Sequence, residues 1–74
     1  MSKDKNRHIE KYRKLGNNIK KYRKQLRLSQ EELAFRISSA RNYIGCIERA
    51  EKLPSLNVIF DIAQELQIDV KELF

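Results

Sequence analysis

Residues 29–49 read SQEELAFRISSARNYIGCIER, two short helical patterns separated by three small residues and no proline. Leu33, Ala34 and Ile37 share a face of the first pattern, and Ile44 and Ile47 share a face of the second, so each half carries one apolar stripe. A link of Ser38, Ser39 and Ala40 is too short for long antiparallel helices. It suits two short helices that cross steeply, with Ala34 small enough to allow close approach. The second helix then keeps an outer face made of Arg41, Asn42, Tyr43, Gly45 and Cys46, and what that face touches is the question of function.

The first of these two helices has an explicit start. Ser29 at the N-cap and Glu32 three residues on make a capping box, and Leu28 with Leu33 makes a hydrophobic staple. Gln30 falls at the first helical position, where its side chain and the free backbone N–H groups can meet a phosphate. The second helix starts less clearly, at Ala40 or Arg41 with Ser38 or Ser39 as its cap, because alanine caps poorly. It ends near Arg49.

Upstream, Ile9, Tyr12, Leu15, Ile19, Tyr22 and Leu26 trace one face of a helix that precedes the pair and ends near Arg27. Gly16 costs that helix about 1 kcal/mol relative to alanine, which predicts fraying or bending before it. Arg23, at the edge of the stripe, can reach a buried carboxylate or lay its stem along the core. Residues 1–8 are polar and are expected to form a flexible basic arm. Downstream, Pro54 stops any continuing helix and Ser55 caps a fourth one, with Leu56, Ile59, Phe60, Ile62, Ala63 and Leu66 as a broad apolar face. Asp69 and Glu72 make a second capping box, and Ile68 with Leu73 a second staple, which predicts a short fifth helix ending at Phe74. The expectation is therefore an all-α, compact five-helix bundle, one domain over residues 9–74 with its helix-turn-helix unit at 30–49.

Charge is more informative by segment than in total. Residues 1–28 hold eleven Lys or Arg against Asp4 and Glu10, residues 29–54 balance at four against four, and residues 55–74 carry Lys71 against four acids. A strongly basic end beside a balanced helical pair suits a polyanion-binding module, since phosphate contacts supply most non-specific affinity. A solvated lysine-rich helix is the plain alternative. The single cysteine, Cys46, cannot form an intramolecular disulfide, and no signal peptide or membrane-length apolar run is present, so a reducing cytoplasm is the expected compartment. An enzyme finds no support. His8 has no companion ligand, no glycine-rich phosphate loop occurs, and helix caps and solvent faces account for the carboxylates, so no metal and no cofactor are expected.

SQEELAFRI, ARNYIGCIER and LPSLNVIFDIAQELQIDVKELF together resemble, without a gap from Leu15 to Phe74, the DNA-binding domain of the Cro and phage-repressor family, the XRE helix-turn-helix family. Within it, the Arg41–Gly45 run and the Ile47–Arg49 ending are similar to the controller proteins of restriction-modification systems. The resemblance implies a lambda-repressor-like bundle whose third helix enters the major groove, and a homodimer on a near-palindromic operator. It implies base reading by Arg41, Asn42, Tyr43 and Cys46, and contacts to the DNA backbone from Ser29, Gln30, Arg49 and Lys52. It also implies a salt bridge between Arg23 and Glu48. The residue types suit base reading, since arginine pairs with guanine O6 and N7, asparagine with adenine N7 and N6, and a tyrosine reaches a phosphate or a thymine methyl. For Cys46, a small side chain that simply fits is preferred over an oxidation sensor.

This chain departs from the family in the turn and beyond it. The family usually has glycine at the position of Ser38, a hydrophobic residue at Ser39, a capping hydroxyl at Ala40 and glycine at Ala50. A left-handed backbone at Ser38 would be strained by about 1 kcal/mol. Leu53 stands where a polar loop residue is common. It is a dimer candidate together with Phe60 and Phe74, although a core position is expected for both phenylalanines in so small a chain. Isologous pairing through the last two helices would bring two reading helices to major grooves about 34 Å apart.

The leading reading is a dimeric, sequence-specific, double-stranded DNA-binding transcription regulator of bacterial or phage type. RNA polymerase is a further partner that such a regulator can touch. The alternative is an antitoxin-like protein-interaction module that uses the last two helices, with DNA binding secondary. Docking of the basic first helix on a membrane is disfavoured, because the fold needs its apolar face.

Overall fold

The computed structural model describes residues 7–74, and every helix in it is ended by the same device. The helices are α1 (Ile9–Gln25), α2 (Gln30–Arg36), α3 (Tyr43–Glu48) and α4 (Leu56–Glu65), followed by a 3-10 turn at Val70–Leu73. Arg27, Ser38, Ala50 and Gln67, each two residues past a helix end, have φ of 58–61°. The amide after each of them then donates back across the last turn: Leu28 to Arg23, Ser39 to Ala34, Glu51 to Cys46 and Ile68 to Ala63, at 2.8–3.1 Å. These are four Schellman caps, and none is built on glycine. Each non-glycine residue stores about 1 kcal/mol of left-handed strain to satisfy carbonyls that a helix end leaves open.

The starts divide into well-capped and uncapped. The capping box of α2 is complete, with Ser29 Oγ accepting from the Glu32 amide at 2.9 Å and Glu32 Oε1 accepting from the Ser29 amide at 2.7 Å. Ser55 Oγ accepts from the Val58 amide and caps α4. The second capping box does not form, and this corrects the expected fifth helix. Asp69 Oδ1 accepts from Lys71 rather than Glu72, and the Glu72 carboxylate accepts from Tyr22 Oη on α1 at 3.2 Å. With both partners engaged elsewhere, the backbone follows the tighter 3-10 pattern, so the fold has four α-helices and one 3-10 turn among the described residues. Helix α1 also stops at Gln25 rather than Arg27, because Arg27 is the left-handed residue of its cap. The expected arm at residues 1–8 falls largely on residues 1–6, outside the described ones; Arg7 and His8 are exposed and precede α1.

Every element contributes to one core. Ile19 from α1, Leu33 from α2, Ile44 and Ile47 from α3, Ile62 from α4 and Leu73 from the 3-10 turn are all fully buried. Each such side chain contributes about 1.5–3 kcal/mol of transfer free energy. The last turn is fastened to α1 by Asn18 Nδ2, which donates to the Leu73 carbonyl at 3.0 Å. On α4, Ile59, Ile62, Ala63 and Leu66 face the core, while Leu56 and Phe60, four residues apart on the flank of that stripe, stay outside. Phe60 and Phe74 are each more than half exposed, which corrects the expectation of core positions: the α4 face is wider than the strip that the other helices cover, and at the end of the chain it is Leu73, not Phe74, that fills the core.

Gly16 corrects a second expectation. Helix α1 runs through it without a break, and the residue is buried. A Cβ at this position would lie 2.6 Å from the Glu48 carbonyl oxygen and 2.7 Å from that of Ile47. The glycine is where α1 lies directly on the end of α3.

Candidate nucleic-acid interface

The α2–α3 pair is built around a buried carboxylate. Arg23 Nε donates to Glu48 Oε2 at 2.7 Å and Nη2 to Oε1 at 3.1 Å, while Nη1 donates to the Leu28 carbonyl at 2.7 Å. Both side chains are almost fully enclosed. Gln30 Nε2, from the first turn of α2, donates to the same Glu48 Oε1 at 2.9 Å. One carboxylate on α3 thus receives bonds from α1 and α2, and the guanidinium also closes the connection between them. Charged bidentate bonds of this kind fix direction as well as distance. What they fix is the orientation of α3.

Helix α3 is shorter than its sequence pattern suggests. The expected start at Ala40 or Arg41 moves to Tyr43, because residues 40–43 first make a turn in which the Tyr43 amide donates to the Ala40 carbonyl at 3.0 Å. No side chain caps α3: Asn42 stands at the N-cap without a capping bond, and Ser39 Oγ donates back to the Ala34 carbonyl at 3.2 Å, serving the end of α2 instead. Arg41 and Asn42 are therefore on an exposed turn before α3, not on its face. Tyr43 is half-buried and packs against the core, and Cys46 is half-buried. Gly45 is buried rather than open: a Cβ there would meet Gln30 Oε1 at 3.0 Å and Arg49 Nη1 at 3.1 Å, so these two side chains lie over the glycine.

The two exposed arginines around α3 have carboxylate neighbours. Arg49 Nε and Nη2 donate to the two oxygens of Glu51 at 3.0 and 3.2 Å, and Nη2 also lies 3.8 Å from Cys46 Sγ. Hydrogen bonding to Glu51 holds the Arg49 guanidinium pKa above its ordinary value, and the same contact holds the Glu51 carboxyl below its own. Arg41 Nε stands 3.8 Å from Glu31 Oε2. Lys52 is exposed, and its amide donates to the Cys46 carbonyl at 3.3 Å. Ser29 spends its hydroxyl on the α2 cap. The structure thus gathers Gln30, Arg41, Asn42, Cys46, Arg49 and Lys52 on or beside α3, while Leu53, Phe60 and Phe74 belong to the loop before α4, to α4 and to the end of the chain. Gly16 and Glu51 were missed by sequence reasoning. A glycine in the middle of an otherwise apolar helical stripe is the available signal for the first, and the second has no signal before the fold at Ala50 is known.

Among the described residues, no helix is long and apolar enough to cross a membrane, and no group of three His, Cys, Asp or Glu side chains could hold a metal ion.

Comparison with known proteins agrees with this architecture. Residues 19–73 match the model of the helix-turn-helix family. The chain is 37% identical over 59 residues to the control protein C.SmaI of Serratia marcescens, covering 80% of this chain and 70% of that one. It is 34% identical over 60 residues to an uncharacterized helix-turn-helix-type transcriptional regulator of Methanocaldococcus jannaschii, covering 81% of this chain and 91% of the other. The crystal structure of the restriction-modification controller protein C.AhdI from Aeromonas hydrophila is similar with a TM-score of 0.81 and 38% identity, over 85% of this chain and 96% of that one. On its fold, its buttressed α2–α3 pair and these matches, the chain belongs to the XRE-type helix-turn-helix family.

Proposed function

We propose that this protein is a sequence-specific, double-stranded DNA-binding transcription regulator that acts as a homodimer on a near-palindromic operator. Membership of the family makes it a DNA-binding regulator and not an enzyme. The observation that carries the finer reading is the buttress beneath α3, in which Arg23 and Gln30 both bond Glu48. A helix of only six residues has little stability of its own, and a rigid mount is what base reading requires of it.

In this reading Arg41 and Asn42 enter the major groove first, because the residues at the start of a recognition helix reach the base edges. Tyr43 and Cys46 line the approach. Ser29, Gln30 and Lys52 meet the phosphate backbone, with the free amides at the start of α2. The basic residues of α1 add affinity without selecting a sequence.

Pairing of two copies would cover Leu53, Phe60 and Phe74, each about half exposed. Leu56, also exposed, lines an apolar groove between α1 and α4 together with Phe74. Selection of bound duplexes from random DNA tests the reading. A near-palindrome with half-sites about one helical turn apart is the expected product. Enrichment of no sequence would contradict it.

A further inference from the structure

We propose that Arg49 reads a base, a guanine by its chemistry, and that Glu51 is the positioning residue that aims it. This rests on the α2–α3 face being the DNA interface and changes one assignment within it, since the family resemblance implies only a backbone contact for Arg49.

Residues two apart do not face each other on a helix. Arg49 and Glu51 meet because Ala50 between them has φ of 59°, and the Glu51 amide bonds the Cys46 carbonyl at 2.8 Å. The chain thus doubles back at the end of α3 and brings the carboxylate onto the Nε and Nη2 edge of the guanidinium. Glu51 leaves the opposite edge, Nη1 and the outer N–H of Nη2, to other partners. The one sulfur contact of the guanidinium, Nη2 to Cys46 at 3.8 Å, is weak.

Nη1 lies 3.1 Å from where a Gly45 Cβ would be, so the guanidinium is folded back over α3 instead of extending toward a flanking strand. Gly45 supplies the space for it. The opening in the middle of the helix is filled by Arg49 and by Gln30, whose Oε1 lies 3.0 Å from the same point.

The charge arithmetic favours a base over a phosphate. An arginine that already carries a bidentate carboxylate is part of a neutral pair, so its attraction for a phosphate is largely cancelled. Glu51 holds the plane of the guanidinium over α3, and where its remaining donors on Nη1 and Nη2 meet a base, two parallel donors match O6 and N7 of guanine. The segment 29–54 as a whole balances its charges, so the reading head is built for directed bonds while α1 supplies the general attraction.

The test is selection from random duplexes with the full chain, run on wild type, Arg49→Lys, Glu51→Gln and the double variant, followed by salt titration of the enriched and a random duplex. Both residues are exposed, so the fold tolerates these changes. The expected result is loss in Arg49→Lys of a roughly ten-fold preference for one base pair per half-site, with the other positions unchanged. Glu51→Gln weakens the same position, and the double variant is no worse than Arg49→Lys alone. Equal weakening of Arg49→Lys on enriched and random DNA, with the salt slope reduced by about one, would make Arg49 a phosphate contact and overturn the proposal. A preference unchanged in Glu51→Gln would remove the positioning role. If wild type itself enriches nothing, the failure belongs to the DNA-reading interface and not to Arg49 alone.

Discussion

Gly16 of α1 and Glu48 of α3 approach so closely that a methyl group on the glycine would lie 2.6 Å from the Glu48 carbonyl oxygen. The atoms opposing it are backbone, and they belong to the helix whose orientation the buttress sets. Gly16→Ala should therefore destabilise the fold by about 2 kcal/mol or more, although alanine is the better helix former by about 1 kcal/mol. Gly45→Ala meets only the ends of two side chains, so its stability should stay within about 1 kcal/mol of wild type. Urea unfolding of both variants checks the contrast, and equal midpoints would contradict it.

The buried ion pair predicts a larger loss. Arg23→Ala leaves the Glu48 carboxylate enclosed with Gln30 as its remaining partner, and Glu48→Ala leaves a guanidinium in the same place. Each should cost about 3–5 kcal/mol, because an uncompensated buried charge costs more than the pair contributes. The double variant should cost clearly less than the two losses added together, as measured by a double-mutant cycle in chemical denaturation.

Strain at the helix ends predicts an improvement. Ala50→Gly and Ser38→Gly relieve left-handed backbone at φ of 59° and 58° without removing a buried side chain. Each should raise stability by about 0.5–1 kcal/mol, or the melting temperature by about 2–8 °C in a chain of this size. Calorimetry decides, and a fall in either variant would mean that the residue holds something other than a turn.

How much of this was legible beforehand depends on how local the cause is. The Ser29–Glu32 box and the Ser55 cap are local, and the sequence read both correctly. The stripe positions Leu15, Ile19, Leu33, Ile44 and Ile62 are periodic, and they form the core. Asp69 and Glu72 form an equally good pattern, but Tyr22, fifty residues away, takes the glutamate and leaves a 3-10 turn. Gly16 reads locally as a weakness and is a contact point only once α3 is laid across it. The start of α3 was missed because Ser39 spends its hydroxyl on the preceding helix. The Arg23–Glu48 pair came from family resemblance, since nothing in spacing alone joins positions 23 and 48.

The capping box also sets a pH dependence. Bonds from the Ser29 amide and hydroxyl hold the Glu32 carboxyl below the usual glutamate range. Because its folded pKa lies below its unfolded one, its contribution to stability is present above the unfolded pKa and is lost as pH falls through the folded pKa. Glu32→Gln should flatten that acid limb of the stability profile. Carbon-detected NMR titration of Glu32 measures the pKa directly, and an ordinary value would contradict the box in solution.

Sequence reading by the exposed turn at the start of α3 is decided by a comparison of affinities. Wild type and Arg41→Ala are each titrated with the enriched duplex and with a random duplex at one fixed salt concentration. A loss of about ten-fold or more on the enriched duplex, with random DNA bound within about two-fold of wild type, is the predicted result. Equal loss on both duplexes would contradict it.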